Sequence, residues 1–164
     1  MELSRTRSDV WVGRLRNAWQ ASGLPAVLPI YLAVRVGLAC WMAIVRQVFD
    51  QPLPPDPIAR PYLGVAIETS PWLEPWQRWD TLHYQAIAER GYAAFDTALF
   101  APPLYPVLVR LTSAGTGGNT LAAALLVSNL AALLGLAAFH SLALRETDST
   151  ERSKRAVLYL SIFP

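Results

Sequence analysis

The chain has 164 residues, 53% of them hydrophobic and 16% charged, with a formal net charge of +2. Soluble chains average about 25% charged residues, so this composition excludes an ordinary soluble domain; the small net charge and scattered basic residues give nucleic-acid binding no support. The single cysteine, Cys40, lies inside an apolar run, which excludes a disulfide framework and a thiolate metal site and reads as a buried, inert thiol.

Residues 1–24 form an N-terminal segment carrying Arg5, Arg7, Arg14 and Arg16. The apolar stretch behind it is too long for the h-region of a signal peptide and has no small-residue cleavage site, so it should stay in the membrane. It gives a first span at 25–49. At about 1.5 Å per residue this length covers a hydrocarbon core of roughly 30 Å. Pro25 and Pro29 fall in its first turns, where proline is tolerated. Arg35 and Arg46 interrupt it. A charge inside a span is a functional residue by default. Arg35, however, lies toward the N-terminal side, and snorkelling or pairing with another helix explains it better.

A long polar segment, 50–118, follows. Its first part is proline-rich (Pro52, Pro54, Pro55, Pro57 and Pro61) and reads as an extended connector over 51–61. Trp72, Trp76 and Trp79 come next, at spacings of four and three that would line one helical face. Tryptophans of this kind are expected at a membrane–water interface. Asp80 should cap a helix of about ten residues that closes on Gly91. Pro102-Pro103 should start a second short helix, Leu104–Leu111, apolar enough to lie on the membrane surface.

The second span, 119–144, is cleaner. Thr112 to Leu144 holds no charged residue, and Asn119 or Thr120 would cap the helix after the Gly117-Gly118 break. Ala124 with Ser128 and Ala131 with Gly135 give small-xxx-small spacing, so this helix should pack closely against others. A link, 145–155, carries Arg145, Arg152, Lys154 and Arg155, and a third apolar run, 156–164, opens at Ala156 and stops at Pro164. Nine residues cannot cross a bilayer, so the sequence predicts a multi-span bundle cut within its third span. The N-terminal segment and the link concentrate positive charge. The segment Asp50–Gly118 has four basic residues against seven acids over 69 positions. The positive-inside rule then puts the N-terminus and the link in the cytoplasm and the long segment outside. Thirteen of the fourteen basic residues are arginine, which together with abundant Ala and Leu hints at a GC-rich bacterial genome and a bacterial cell membrane.

The residues that could carry chemistry lie in the outer segment. On the helix from Asp80, the side chains of Asp80, Tyr84 and Ile87 share one face, and Trp79, His83 and Arg90 a neighbouring one. A carboxylate held just outside a bilayer in an aromatic setting can serve as a base toward a lipid-carried substrate. The alternative is that Asp80 only caps the helix, and the two roles are compatible. His83 could assist proton transfer or contact a phosphate, or be an ordinary interfacial polar residue. His140, alone in another segment, reads as structural, and no ligand cluster for a metal is visible. Arg78, Arg90 and Arg110 could clamp a lipid phosphate or answer generic attraction to anionic headgroups.

The string Arg78-Trp79-Asp80-Thr81-Leu82-His83-Tyr84, continued by Ile87-Ala88 and Gly91-Tyr92, resembles the corresponding pattern of the PIG-V-type mannosyltransferases. Pro103-Leu104-Tyr105-Pro106-Val107-Leu108-Val109-Arg110 resembles a second segment of that family. Ser128-Asn129-Leu130 and Leu160-Ser161-Ile162-Phe163-Pro164 are in its style, so that the likeness runs over roughly 25–164. Where the family often has a Phe-Phe pair before Pro-Leu-Tyr-Pro, this chain has Ala101-Pro102, with Phe100 displaced by one. The resemblance implies an all-α membrane protein, a GT-C-like multi-span helical bundle whose extracytoplasmic loop contains short interfacial helices. It further implies a glycosyltransferase that moves a sugar, commonly mannose, from a polyprenyl- or dolichyl-phosphate donor with inversion. By position, Asp80 would be the catalytic base, and Arg78, Trp79, His83, Tyr84, Tyr105 and Arg110 would contact substrate. No cofactor is implied, and a role for a divalent metal is left open, as are the sugar and the acceptor. The competing view is a non-enzymatic multi-span protein, a transporter half or assembly subunit, with Asp80 as a helix cap. A lone two-span interfacial protein would leave the third apolar run unexplained.

Overall fold

The computed structural model describes residues 7–49, 64–92, 100 and 102–162. They form six α-helices: α1 (Arg7–Ala21), α2 (Leu24–Phe49), α3 (Asp80–Arg90), α4 (Leu104–Ser113), α5 (Thr120–Thr147) and α6 (Thr150–Ile162), and no strand occurs among the described residues. The proline-rich connector 51–61 and Phe163-Pro164 lie outside the described residues. The chain divides into two compact units, one of residues 1–50 and 131–164, the other of residues 51–130.

In the first unit, α2 begins at Leu24 and continues through Pro29, whose missing N–H removes one intrahelical bond. Leu24–Val48 and Thr120–Thr147 are long and apolar enough to cross a membrane. The most apolar windows of these two helices are only 11% and 22% buried. A core helix of a soluble protein would be mostly covered, so the two helices suggest a membrane protein. Cys40 is exposed on α2 rather than buried as its apolar surroundings imply, because none of the described residues covers that stretch of helix. Arg35 lies over the Tyr31 ring, 5.1 Å from its centroid. The pairing partner for this charge is therefore an aromatic face one turn back on the same helix.

The N-terminal segment, for which the sequence signalled only charge, holds a four-turn helix, α1. It is separated from α2 by Ser22-Gly23. The Ser22 hydroxyl donates to the Trp19 carbonyl (2.7 Å) and accepts from the Leu24 N–H (3.3 Å), tying off one helix and opening the next. Gly23 has φ +73°, and a Cβ there would come within 3.1–3.2 Å of the Ala137 carbonyl, His140 Nδ1 and Ser141 Oγ. Only glycine satisfies both the backbone angle and this approach to α5.

The charged link of the sequence is almost entirely helical. α5 runs to Thr147 and α6 starts at Thr150, leaving Asp148-Ser149 as a tight connection in which Asp148 has φ 47°. Helix α6 therefore opens six residues before the apolar run at Ala156, because Ser149 supplies an N-terminal partner (Ser153 N–H to the Ser149 carbonyl, 3.0 Å). Ser153 and Val157 are buried. Ser153 Oγ donates to the His140 carbonyl (2.7 Å), joining α6 to α5, while α6 also packs on α2.

In the second unit, α3 packs on α4 and both meet the start of α5. Ala88, Val109, Ala123 and Ala124 form its core, with Tyr105 and Val127 against them. Ala124 and Ser128 are the first of the two small-residue pairs. Tyr105 of α4 lies here and donates to the Ala124 carbonyl (3.3 Å), its hydroxyl 2.9 Å from Ser128 Oγ. The second pair is open: Gly135 has nothing near the place a Cβ would take. Asn119 caps α5, its Oδ1 accepting the Ala122 N–H at 2.8 Å. Pro103 precedes α4 as expected, and that helix runs to Ser113.

Gly23→Ala should destabilise the first unit by about 1–3 kcal/mol, the usual cost of a non-glycine residue held at such an angle. Thermal unfolding in mild detergent checks this, with Gly13→Ala as a control in open helical space where alanine should stabilise slightly.

Candidate functional site

The site predicted from sequence lies wholly in the second unit, at the start of α3. The approach to this helix is unusual. Trp72, Trp76 and Trp79 are not on one helical face as their spacing implied. Glu74–Trp76 is a single 3-10 turn, and Trp72 and Trp79 sit in turns on either side of it. Pro71 and Pro75 break the segment, and Glu74 N–H returns to the Ser70 carbonyl (2.8 Å), so the local pattern is turn after turn. All three indoles are nonetheless exposed, Trp79 by 87%.

Trp79 has φ 52° and ψ −130°. A bulky residue there stores on the order of 1–3 kcal/mol of strain. The turn brings the chain into the helix so that Trp79, not Asp80, occupies the N-cap position, without a side-chain cap bond. Asp80 is the first helical residue. The first-turn N–H groups of Thr81 and Leu82 are taken by the carbonyls of Arg78 (3.1 Å) and Trp79 (3.2 Å). These bonds explain why the expected Asp80 cap is not formed: the donors it would serve already have backbone partners. The Asp80 carboxylate is exposed and makes no hydrogen bond or ion pair among the described residues. At the other end Gly91 stops the helix as expected, with φ 77° and its N–H on the Ile87 carbonyl at 2.8 Å.

The remaining candidates divide into groups. His83, Tyr84 and Tyr105 are brought together around Phe100. His83 stacks on the Phe100 ring with centroids 4.4 Å apart, Tyr84 meets Phe100 edge-on at 5.3 Å, and Tyr84 meets Tyr105 edge-on at 5.0 Å. His83 Nδ1 is buried in this cluster with no hydrogen-bond partner among the described residues. Tyr92 Oη donates to the Phe100 carbonyl (3.2 Å), helping to fix that residue. Phe100 thus does the packing that the displaced position in the sequence left open.

Arg78 is committed elsewhere. Its guanidinium pairs with the Glu74 carboxylate and donates to the carbonyls of Glu74 and Gln77, both at 3.0 Å. It holds the 3-10 turn in place. Arg110, in the last turn of α4, is exposed and carries no ion pair among the described residues. No group of three or more metal-binding side chains occurs among the described residues.

The largest feature that sequence reasoning missed is a polar network beneath the site. Gln77, 2% exposed, accepts the Glu68 N–H on Oε1 (2.9 Å) and donates from Nε2 to the Ala66 carbonyl (2.8 Å) and Gln85 Oε1 (3.3 Å). Gln85, 3% exposed, donates to Thr120 Oγ1 (3.2 Å), whose hydroxyl donates to Glu89 Oε1 (2.7 Å). Glu68 accepts from the Ser70 N–H (2.9 Å) and Asn119 Nδ2 (3.1 Å). These bonds, the Ser70 N–H foremost, hold its carboxyl below the usual carboxylate range. The network ties 66–77, α3 and the first residue of α5 together. Its signal in the sequence was weak but present: Leu82, Gln85 and Ala86 recur at the spacing of an inward helical stripe, and a glutamine on such a stripe requires partners.

Comparison with protein families, with curated proteins and with solved structures gave no match to this chain.

Gln77→Leu should lower the stability of this unit by at least about 2 kcal/mol, since it strips partners from three polar groups at once. Gln47→Leu on the exposed side of α2 should change it by less than about 0.5 kcal/mol. Thermal unfolding of both in the same detergent decides the matter.

Proposed function

We propose that this chain carries the acid-bearing loop of an inverting membrane glycosyltransferase, a PIG-V-type mannosyltransferase using a polyprenyl- or dolichyl-phosphate sugar. The observation that carries this is the state of Asp80. Its carboxylate is exposed, relieved of capping by backbone carbonyls and preceded by a strained, largely exposed tryptophan. A structural acid at a helix start would bond the first-turn N–H groups. An acid kept free at a strained turn fits one reserved for a substrate.

The residues suggest a division of labour. Asp80 takes the proton of the acceptor hydroxyl as its oxygen attacks the anomeric carbon on the face opposite the phosphate. The bond from anomeric carbon to phosphate oxygen breaks, and the lipid phosphate leaves with that electron pair, so the sugar arrives inverted. The leaving group is already an anion stabilised by its own oxygens, and the protein needs a base and nearby positive charge more than a proton donor. Arg110 is the sequence-predicted arginine left without an ion pair among the described residues, which makes it the better candidate for the phosphate than Arg78, held by Glu74. Trp79, with its open indole face, would stack on the sugar ring or the first isoprene units. His83, Tyr84 and Tyr105 form the aromatic floor beside it.

The membrane setting agrees with this reading. Helix α4 has two apolar faces: Pro106 and Val109 are buried against the unit, while Leu104, Val107, Leu108 and Leu111 are exposed on one stripe. A stripe of this kind beside the three tryptophans suits a surface lying in the headgroup region. On this reading the surface faces the extracytoplasmic side and the N-terminus the cytoplasm, the orientation the positive-inside rule favours.

Asp80→Asn, in the protein expressed from its complete reading frame, keeps the side-chain shape and removes the base. Transfer of labelled mannose from polyprenyl phosphate in membranes should fall by about 10²–10⁴-fold, with unfolding temperature unchanged. Retained transfer in the variant would remove Asp80 from the mechanism, and absence of transfer by the parent protein would favour the non-enzymatic alternative.

A further inference from the structure

Helix α1 has no role in the proposed chemistry, and its composition is that of a surface helix left uncovered. Trp11, Val12, Leu15 and Trp19 recur at spacings of one, three and four, which puts them on a single stripe. All four are exposed, by 60%, 63%, 68% and 45%, so nothing among the described residues covers the apolar stripe. Asn17 and Gln20 lie away from it, and Arg14 and Arg16 fall on its two flanks. The Arg14 guanidinium stands 5.7 Å from the centroid of the Trp11 ring, pairing a cation with the edge of the stripe.

Two further facts select the occupant. The segment before Ser22 holds four arginines against two acids, Glu2 and Asp9, so its composition is basic. It leads through the tied Ser22-Gly23 corner directly into α2, a helix long and apolar enough to cross a membrane. An apolar stripe edged by arginines and joined by a short corner to a candidate span meets the headgroup region of the leaflet where that span starts.

We propose that α1 is an interfacial helix that lies in the plane of an anionic lipid leaflet, with Trp11, Val12, Leu15 and Trp19 among the upper acyl chains and Arg14 and Arg16 on lipid phosphates. It anchors the cytoplasmic start of α2 and sets the depth and rotation of that helix. This holds whether or not the protein transfers sugar.

The test uses the whole chain on a Cys40→Ser background, with a spin label at Leu15→Cys or Asn17→Cys, in vesicles of phosphatidylglycerol or of phosphatidylcholine. In phosphatidylglycerol, accessibility to oxygen relative to a water-soluble nickel chelate should be higher at position 15 than at position 17. The contrast should shrink in phosphatidylcholine and at high salt, and Arg14→Gln with Arg16→Gln should abolish this dependence on lipid charge. Equal, water-like accessibility at both positions would overturn the proposal. So would an immobilised label at position 15 reached by neither reagent, which would place protein on the stripe. A contrast indifferent to lipid charge would overturn the assignment to anionic lipid.

Discussion

The glutamine pair Gln77–Gln85 is the constraint on which the second unit depends. Segment 64–78 has no regular secondary structure beyond one 3-10 turn, and its backbone groups would be left without partners against α3 if Gln77 did not serve them from both ends of its amide. Gln85 passes the same chain of bonds to Thr120 and Glu89, so that the start of α5 is fixed relative to α3. A buried network of this kind specifies one arrangement only when nearly all its members are satisfied, and here each amide has a partner on each side. The consequence lies a few residues away. With Gln77 pinned and Arg78 locked to Glu74, the chain has two residues in which to turn into α3, and Trp79 takes a positive φ to do so. Asp80 is left free because the turn that strains Trp79 also delivers two carbonyls to the first helical N–H groups.

Uncovered apolar surface is the second organising fact. The stripe on α1, most of α2 and the outer stripe of α4 are all exposed, and the two long helices are mostly uncovered along their most apolar windows. In water, surfaces of this extent would be unfavourable. In a bilayer the cost disappears, and what holds helices together is close packing and polar contacts. The contacts observed are of that type: Ser153 on the His140 carbonyl, Gly23 close to α5, and Tyr105 on Ala124 and Ser128.

Much of this was legible in the sequence because its signals are local. Two apolar runs of span length gave α2 and α5, Asn119 gave a cap, Pro103 and Gly91 gave a start and a stop, and the stretch from Asp80 to Gly91 gave a short helix. Spacing put three tryptophans on a helix that Pro71 and Pro75 prevent, and residue type made Asp80 a cap that nearby carbonyls render unnecessary. Arg78, offered as a clamp for a lipid phosphate, pairs with Glu74 four residues earlier. Helix α1 was missed because its apolar residues are interspersed with arginines and its stripe emerges only at helical spacing. For Asp80 and Arg78 a competing partner decided the outcome, and for the tryptophans the neighbouring prolines did.

The claim at the centre of the account is that Asp80 is an unengaged carboxylate while the acids around it are bonded. Carbodiimide coupling of an amine to the folded protein in detergent, followed by site-resolved mass spectrometry, measures this directly. Asp80 should be labelled well ahead of Glu68, whose two oxygens accept from Ser70 and Asn119, and ahead of Glu74, held by Arg78. A polyprenyl-phosphate sugar should slow labelling at Asp80 and leave Glu68 unchanged. Labelling of Asp80 no faster than Glu68 would contradict the account.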